Sequence, residues 1–122
     1  MKDKTINVGI MSLELYKQRT IAIAKGKYTP KKDEPKIWFE SVKSMAQILS
    51  SENQQLLKVI LDNSPKSLGE LESLTGRAKS NLSRTLKTLE RYGIVELHKE
   101  NRALIPEVKA THFKVEFGFE AG

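Results

Sequence analysis

The chain has 122 residues, 21 Lys and Arg against 15 Asp and Glu, a formal charge of +6 and no cysteine. The missing thiol excludes disulfides, thiolate zinc sites and cysteine nucleophiles and suits a reducing compartment. No run approaches the roughly 18 apolar residues of a membrane span, and the opening MKDKTINVGI lacks an apolar leader core, so a soluble cytoplasmic protein is expected.

The positive charge is local. Within residues 77–91, Arg77, Lys79, Arg84, Lys87 and Arg91 meet a single carboxylate, Glu90. Residues 1–50 hold a second cationic excess, and the remainder is slightly acidic. Such patches favour a polyanionic partner.

In chain order, TINVGI alternates Ile6, Val8 and Ile10 with polar or small residues, a strand period with no neighbouring strand nearby in sequence. Ser12 can cap a helix running to about Lys25, with Leu13, Tyr16, Thr20, Ile23 and Ala24 at helical spacing. Residues 26–36 are lysine-rich and carry Pro30 and Pro35, which bias their predecessors away from helix. This loop reads as a linker rather than a phosphate-binding arm. IWFESVKSMAQILS resumes helical spacing through Val42, Met45, Ile48 and Leu49, with Trp38 and Phe39 seating the start of the helix.

Ser51 followed by Gln54 has the form of a capping box, opening a helix with Leu56, Leu57, Ile60 and Leu61 on one face. Asn63, Ser64 and Pro65 end it. A second box, Ser67 with Glu70, opens a short helix with Leu68, Leu71 and Leu74 inward, and Thr75 and Gly76 make the turn. A longer helix comes next over residues 78–92, closed by Gly93, whose missing Cβ suits a left-handed terminus. IVELHKENRALIP then reads as two strands around a polar tip at residues 99–102, with Pro106 stopping the second. Finally, HFKVEFGF alternates Phe113, Val115, Phe117 and Phe119, the cleanest strand signal in the chain.

At 100° per residue from Lys79, Leu82, Leu86 and Leu89 fall at about 300°, 340° and 280°, a single core stripe. Ser80, Arg84, Lys87 and Arg91 fall opposite, at about 100°, 140°, 80° and 120°, with Asn81 and Thr88 flanking. Hydrogen-bonding groups beside cations on one exposed helix face match what a DNA major groove presents. The preceding capped helix and tight turn complete a helix-turn-helix, and the strand pair supplies a wing.

SLGELESLTGRAKSNLSRTLKTLERYGIVEL resembles the winged helix-turn-helix of MarR-like transcriptional regulators through Ser67, Leu68, Leu71, Gly76, Ser80, Ser83, Arg84, Leu86, Leu89, Gly93 and Val95. The strand and helix before it, Phe39-Glu40-Ser41, and the alternating strand after it resemble small prokaryotic DNA-binding regulators, some encoded as antitoxins beside toxin genes. The resemblance implies insertion of the 78–92 helix into the major groove, phosphate contacts from the Ser67 end and the wing, and dimeric binding. Ala78 departs from the pattern, since related sequences place a capping Ser or Thr there.

The residues leave several roles open. Arg84 either reads a guanine edge or clamps a phosphate. Ser80 and Asn81 contact bases or backbone, or Asn81 shapes the helix start. Lys79, Lys87 and Arg91 are phosphate-directed, and Arg77 is counted among the DNA-binding residues. Ser67 either receives a phosphate at a helix N-terminus or simply caps it. Lys99 and Arg102 at the wing tip enter a minor groove, touch backbone, or form an ordinary charged hairpin.

The expected architecture is α+β and mostly helical: an N-terminal strand-helix arm over 1–50, a winged helix-turn-helix over 51–106 and a C-terminal strand over 107–122. The terminal strands pair with each other or with a second subunit, and together with the 12–25 helix they are expected to build a homodimer. A dimer would set two recognition helices roughly 34 Å apart. The expected function is a sequence-specific double-stranded DNA-binding repressor or autoregulator. The alternative is an antitoxin-type module that occludes a toxin. His98 and His112 sit in no metal-ligand spacing, and no catalytic or nucleotide-binding motif is present, so neither an enzyme nor a cofactor is expected.

Overall fold

The computed structural model describes residues 4–118. Five strands and five helices succeed one another: β1 Thr5–Ile10, α1 Leu13–Ala24, β2 Ile37–Phe39, α2 Val42–Ile48, α3 Ser51–Asn63, α4 Leu68–Thr75, α5 Lys79–Arg91, β3 Val95–Glu100, β4 Ala103–Val108 and β5 His112–Glu116. They divide into two compact units, one of residue 4 with 48–111 and the other of 5–47 with 112–118. Among the described residues no helix is long and apolar enough to cross a membrane.

The first unit is a winged helix-turn-helix. Its core gathers Leu56, Leu57 and Ile60 of α3, Leu71 of α4, Leu82, Leu86 and Leu89 of α5, and Ile94, Val95 and Val108 around the hairpin, all buried. Both helix starts are capped by serine, as expected, but the first cap is Ser50 and not Ser51. Its hydroxyl accepts the Asn53 N–H at 3.3 Å, while the Asn53 and Gln54 side chains donate back to the Ile48 and Leu49 carbonyls. At α4 the Ser67 hydroxyl accepts the Glu70 N–H at 3.1 Å, and the Glu70 carboxylate accepts from the Lys66 N–H. Each reciprocal arm lands outside its own cap because a Glu or amide side chain reaches past the cap to the residue before it. Of the α4 leucines only Leu71 is fully buried, and Leu74 is 47% exposed. Leu68, Leu71 and Leu74 follow one another at steps of three, which spread them over about 120° of the helix, too wide for one buried line.

Gly76 and Gly93 take left-handed φ of 75° and 80°, closing the turn before α5 and the end of α5. In the hairpin, Asn101 and Arg102 both have positive φ, 49° and 68°, the pattern of a two-residue turn whose twist matches its strands. Pro106 does not stop the second strand. It is buried and pairs with Leu97 inside the ladder, and β4 continues to Val108. Counting back from the turn, Leu97 and Pro106 form a non-hydrogen-bonded pair, so the missing N–H costs the ladder nothing. The Leu97 N–H accordingly turns away from β4 and donates to the Glu90 carboxylate at 3.4 Å.

The second unit holds a parallel sheet of order β2-β1-β5. The two terminal strands therefore pair within one chain, Thr5 aligning with His112 and Gly9 with Glu116. Residues 37–39 do not begin a helix. They form β2, in register with Val8, Gly9 and Ile10, and the helix starts only at Val42. The Ile-Trp-Phe run packs better on a pleated surface than in a short helix, and Ser41 caps α2 by accepting the Ser44 N–H. One sheet face carries Ile6, Val8, Ile10, Ile37, Phe39, Phe113 and Val115. The other carries Thr5, Asn7, Gly9, Trp38, His112, Lys114 and Glu116.

α1 forms where its helical spacing places it, with Ser12 capping it by accepting the Leu15 N–H, but it buries none of its residues. What holds it is polar. Arg19 pairs with Glu34 at 3.4 Å and lies 5.2 Å from the Trp38 ring and 5.9 Å from that of Tyr28. Glu34 also accepts from the Tyr28 hydroxyl and the Lys31 N–H, and its carboxyl is held below the usual carboxylate range chiefly by the Tyr28 hydrogen bond. The loop read as a plain linker is thus tied down at its carboxylate. Trp38 in turn lies flat on Gly9, where an added Cβ would sit 2.4 Å from a ring carbon. Gly9→Ala is therefore expected to destabilise the sheet by about 1–3 kcal/mol through overpacking. Trp38 is the single tryptophan, so a shifted emission maximum together with an earlier urea transition checks it.

Candidate nucleic-acid interface

The placement of α5 is set by its leucines. Leu82, Leu86 and Leu89 are at most 1% exposed, which fixes the rotation of the helix and leaves Lys79, Ser80, Asn81, Arg84, Lys87 and Arg91 exposed. Thr88 is half-buried. Its hydroxyl donates to the Arg84 carbonyl at 3.1 Å and accepts from the Arg91 guanidinium at 3.3 Å. That tether draws Arg91 back along the helix toward Arg84.

Ala78 is the residue before the first turn, and no side chain caps α5. The turn leading in is organised instead by Arg77. Its guanidinium donates to Asn81 Oδ1 at 2.8 Å, to Thr85 Oγ1 at 3.0 Å and to Asn53 Oδ1 on α3 at 3.3 Å. Its backbone N–H reaches Thr75 Oγ1 at 3.2 Å. Arg77, counted among the DNA-binding residues from sequence, is spent on the scaffold: it ties α3 to the start of α5. The same bond uses the Asn81 carbonyl and leaves that side chain its N–H groups to donate.

Two residues singled out separately come together at the α4 start. A β-carbon on Gly69 would lie 3.6 Å from Ser67 Oγ and 3.8 Å from Lys79 Nζ, so the Lys79 ammonium leans over the first turn of α4. Ser67 is only half-buried while it caps. Positive helix end, hydroxyl and ammonium thus share one small surface.

The wing divides electrically. Near its base Glu96 and Glu107 stand directly opposite, an arrangement that repels. His98 Nε2 lies 2.9 Å from Glu107 and 3.6 Å from Glu96, and Lys109 Nζ lies 3.5 and 3.7 Å from the Glu96 and Glu107 carboxylates. The Glu107 carboxyl is held below its ordinary range, first by the His98 hydrogen bond and then by Lys109. Glu96, His98 and Glu107 also approach closely enough to hold a cation, but Lys109 already supplies that charge. Lys109 offsets part of the carboxylate charge at the base, and the exposed cations of the wing are Lys99 and Arg102 at its tip.

The partners of Arg77 were only partly legible. Arg77, Asn81 and Thr85 recur every four residues, a spacing visible in sequence as one line along a helix. Asn53 lies 24 residues away, and no local signal connects it.

Fold and surface together define a winged helix-turn-helix protein with a cationic, hydroxyl-bearing second helix. The HVO_A0114 family model matches residues 48–115, more than half of the chain, and the protein belongs to that family. No curated protein matches. Among solved structures, the chain is similar to a predicted DNA-binding transcriptional regulator from E. coli, with 18% identity, 80% of this chain and 84% of that chain covered, and a TM-score of 0.44.

With Arg77 removed, α5 loses this link to α3, and three side-chain oxygens, on Asn53, Asn81 and Thr85, lose their donor. Arg77→Ala is expected to cost about 1–3 kcal/mol in urea unfolding. Arg77→Lys should recover little of it, because an ammonium cannot span three acceptors fixed by a planar fork.

Proposed function

We propose that the protein is a sequence-specific regulator of transcription that binds double-stranded DNA, with α5 in the major groove and the wing tip against the flanking backbone or minor groove. The observation that carries the reading is the exposed face of Ser80, Arg84, Lys87 and Arg91 lying opposite three buried leucines. A groove of B-DNA admits one helix, and donors near its base edges with cations alongside serve readout and phosphate neutralisation together. Lys79 and Ser67 at the α4 start suit a phosphate. The layout supports a MarR-like arrangement acting in the cytoplasm as a repressor or autoregulator.

Arg102 adds weight at the wing. A long side chain at φ 68° occupies a region that glycine fills without strain. The two-residue turn demands that φ, so a long cation kept there in place of glycine points to a use for its side chain. Arg102→Gly is expected to raise stability by about 0.5–1 kcal/mol in thermal unfolding while weakening duplex binding. Weaker binding without any gain in stability would break the link between strain and function.

The main test is selection of duplexes from a random library at fixed salt. Arg84→Ala should cost about 1–3 kcal/mol on the enriched site and relax one base position. Lys87→Ala should weaken all sequences alike and lower the salt slope by about 1. Equal losses on enriched and random DNA for Arg84→Ala would reduce Arg84 to a phosphate clamp.

The antitoxin-type alternative has one observation of its own: α1 exposes Leu13, Leu15, Tyr16 and Ile21 and buries nothing. A partner protein covering that helix would make DNA binding secondary. No salt-sensitive retardation of any duplex would overturn the DNA reading and favour this one.

A further inference from the structure

The sheet of the second unit is covered unevenly. On its apolar face Val8, Ile37 and Phe39 are buried, Phe113 is half-buried and Val115 is 45% exposed, and Phe117, the residue just past the end of β5, is 58% exposed. The cover thins out toward β5, which is an edge strand. An exposed, alternating, aromatic edge is a template for another strand. Lys114 and Glu116 on the opposite face decide which strand it accepts.

We infer that β5 is the seam of a homodimer in which two copies pair edge to edge, antiparallel, about a two-fold axis at Val115. In that register Val115 faces itself, Phe113 faces Phe117 of the second copy, and Lys114 faces Glu116 of the second copy. Every aromatic meets an aromatic and each cation meets a carboxylate, twice over by symmetry. Directly opposed residues in an antiparallel ladder share a face, so the apolar faces of both sheets run together. Centring the axis on Lys114 would set lysine against lysine, and centring it on Phe113 would leave Glu116 without a cation. The result is a continuous six-stranded sheet of order β2-β1-β5-β5-β1-β2. The same edge does not suit a generic extended peptide, which would lack the alternating Phe, Lys, Val, Glu, Phe pattern that the strand offers to itself. This proposal stands on the second unit and is independent of the duplex reading.

The register is testable because the chain has no cysteine, so Val115→Cys introduces a single thiol. At the axis its two Cα atoms would be about 4.5–5.5 Å apart, within disulfide reach. Mild oxidation of the full chain is expected to give a covalent dimer, with Lys58→Cys on α3 remaining monomeric on a non-reducing gel. In sedimentation, Lys114→Glu or Glu116→Lys alone should weaken the dimer by roughly tenfold or more, since each turns two attractions into repulsions. The double exchange Lys114→Glu/Glu116→Lys should restore it, and unchanged Trp38 emission separates a lost seam from a lost fold. A monomer at tens of micromolar overturns the proposal. So does a dimer indifferent to both single reversals, or a Val115→Cys chain that does not cross-link.

Discussion

The duplex reading of this protein depends on the burial of Leu82, Leu86 and Leu89. A helix has no preferred rotation about its own axis until one stripe is committed to a core, and these three side chains commit it. Together they withdraw apolar surface worth several kcal/mol from water, more than any single polar contact on the exposed side can offset. The cationic face is therefore a consequence of packing. Arg84 and Lys87 face outward because the leucines face in. Arg77 refines the same placement, holding the first turn of α5 to α3 through the Asn53 side chain where Ala78 provides no cap.

How far the sequence can be read depends on the range of the forces involved. The winged unit is legible because its signals are local: serine caps, glycines at left-handed ends, a leucine stripe at helical spacing, a polar tip between alternating strands. The errors within it are also local. The Ser50 cap differs from Ser51 by one residue, because adjacent serines offer the same hydroxyl. Pro106 reads as a stop because its permissibility depends on which rung of the ladder it occupies, and that is set by the turn.

The second unit is harder, since its order comes from pairings that skip most of the chain. Ile37-Trp38-Phe39 reads as the start of a helix because nothing nearby shows that β1 waits alongside. The tie from Arg19 to Glu34 is likewise invisible in a pattern of apolar spacing, and the face expected to hold α1 down is left largely in solvent. At the candidate interface, most of the cationic residues chosen from the helical wheel are exposed on α5. Arg77, which precedes the helix and is picked out by its charge, has a different job, because a count of charges does not register an acceptor on another helix.

The pairing of β1 with β5 has a further consequence for synthesis. Residues 5–9 meet residues 112–116, so the central strand of that sheet must wait on the ribosome until those later residues have been made. The winged unit, spanning 48–111 apart from residue 4, is complete sooner and its helical contacts are short in sequence, which favours early folding. Nascent chains would thus acquire the α5 surface first and the arm last. The aromatic edge of β5 emerges only after the winged unit is complete, with β1 already made and ready to take its inner side.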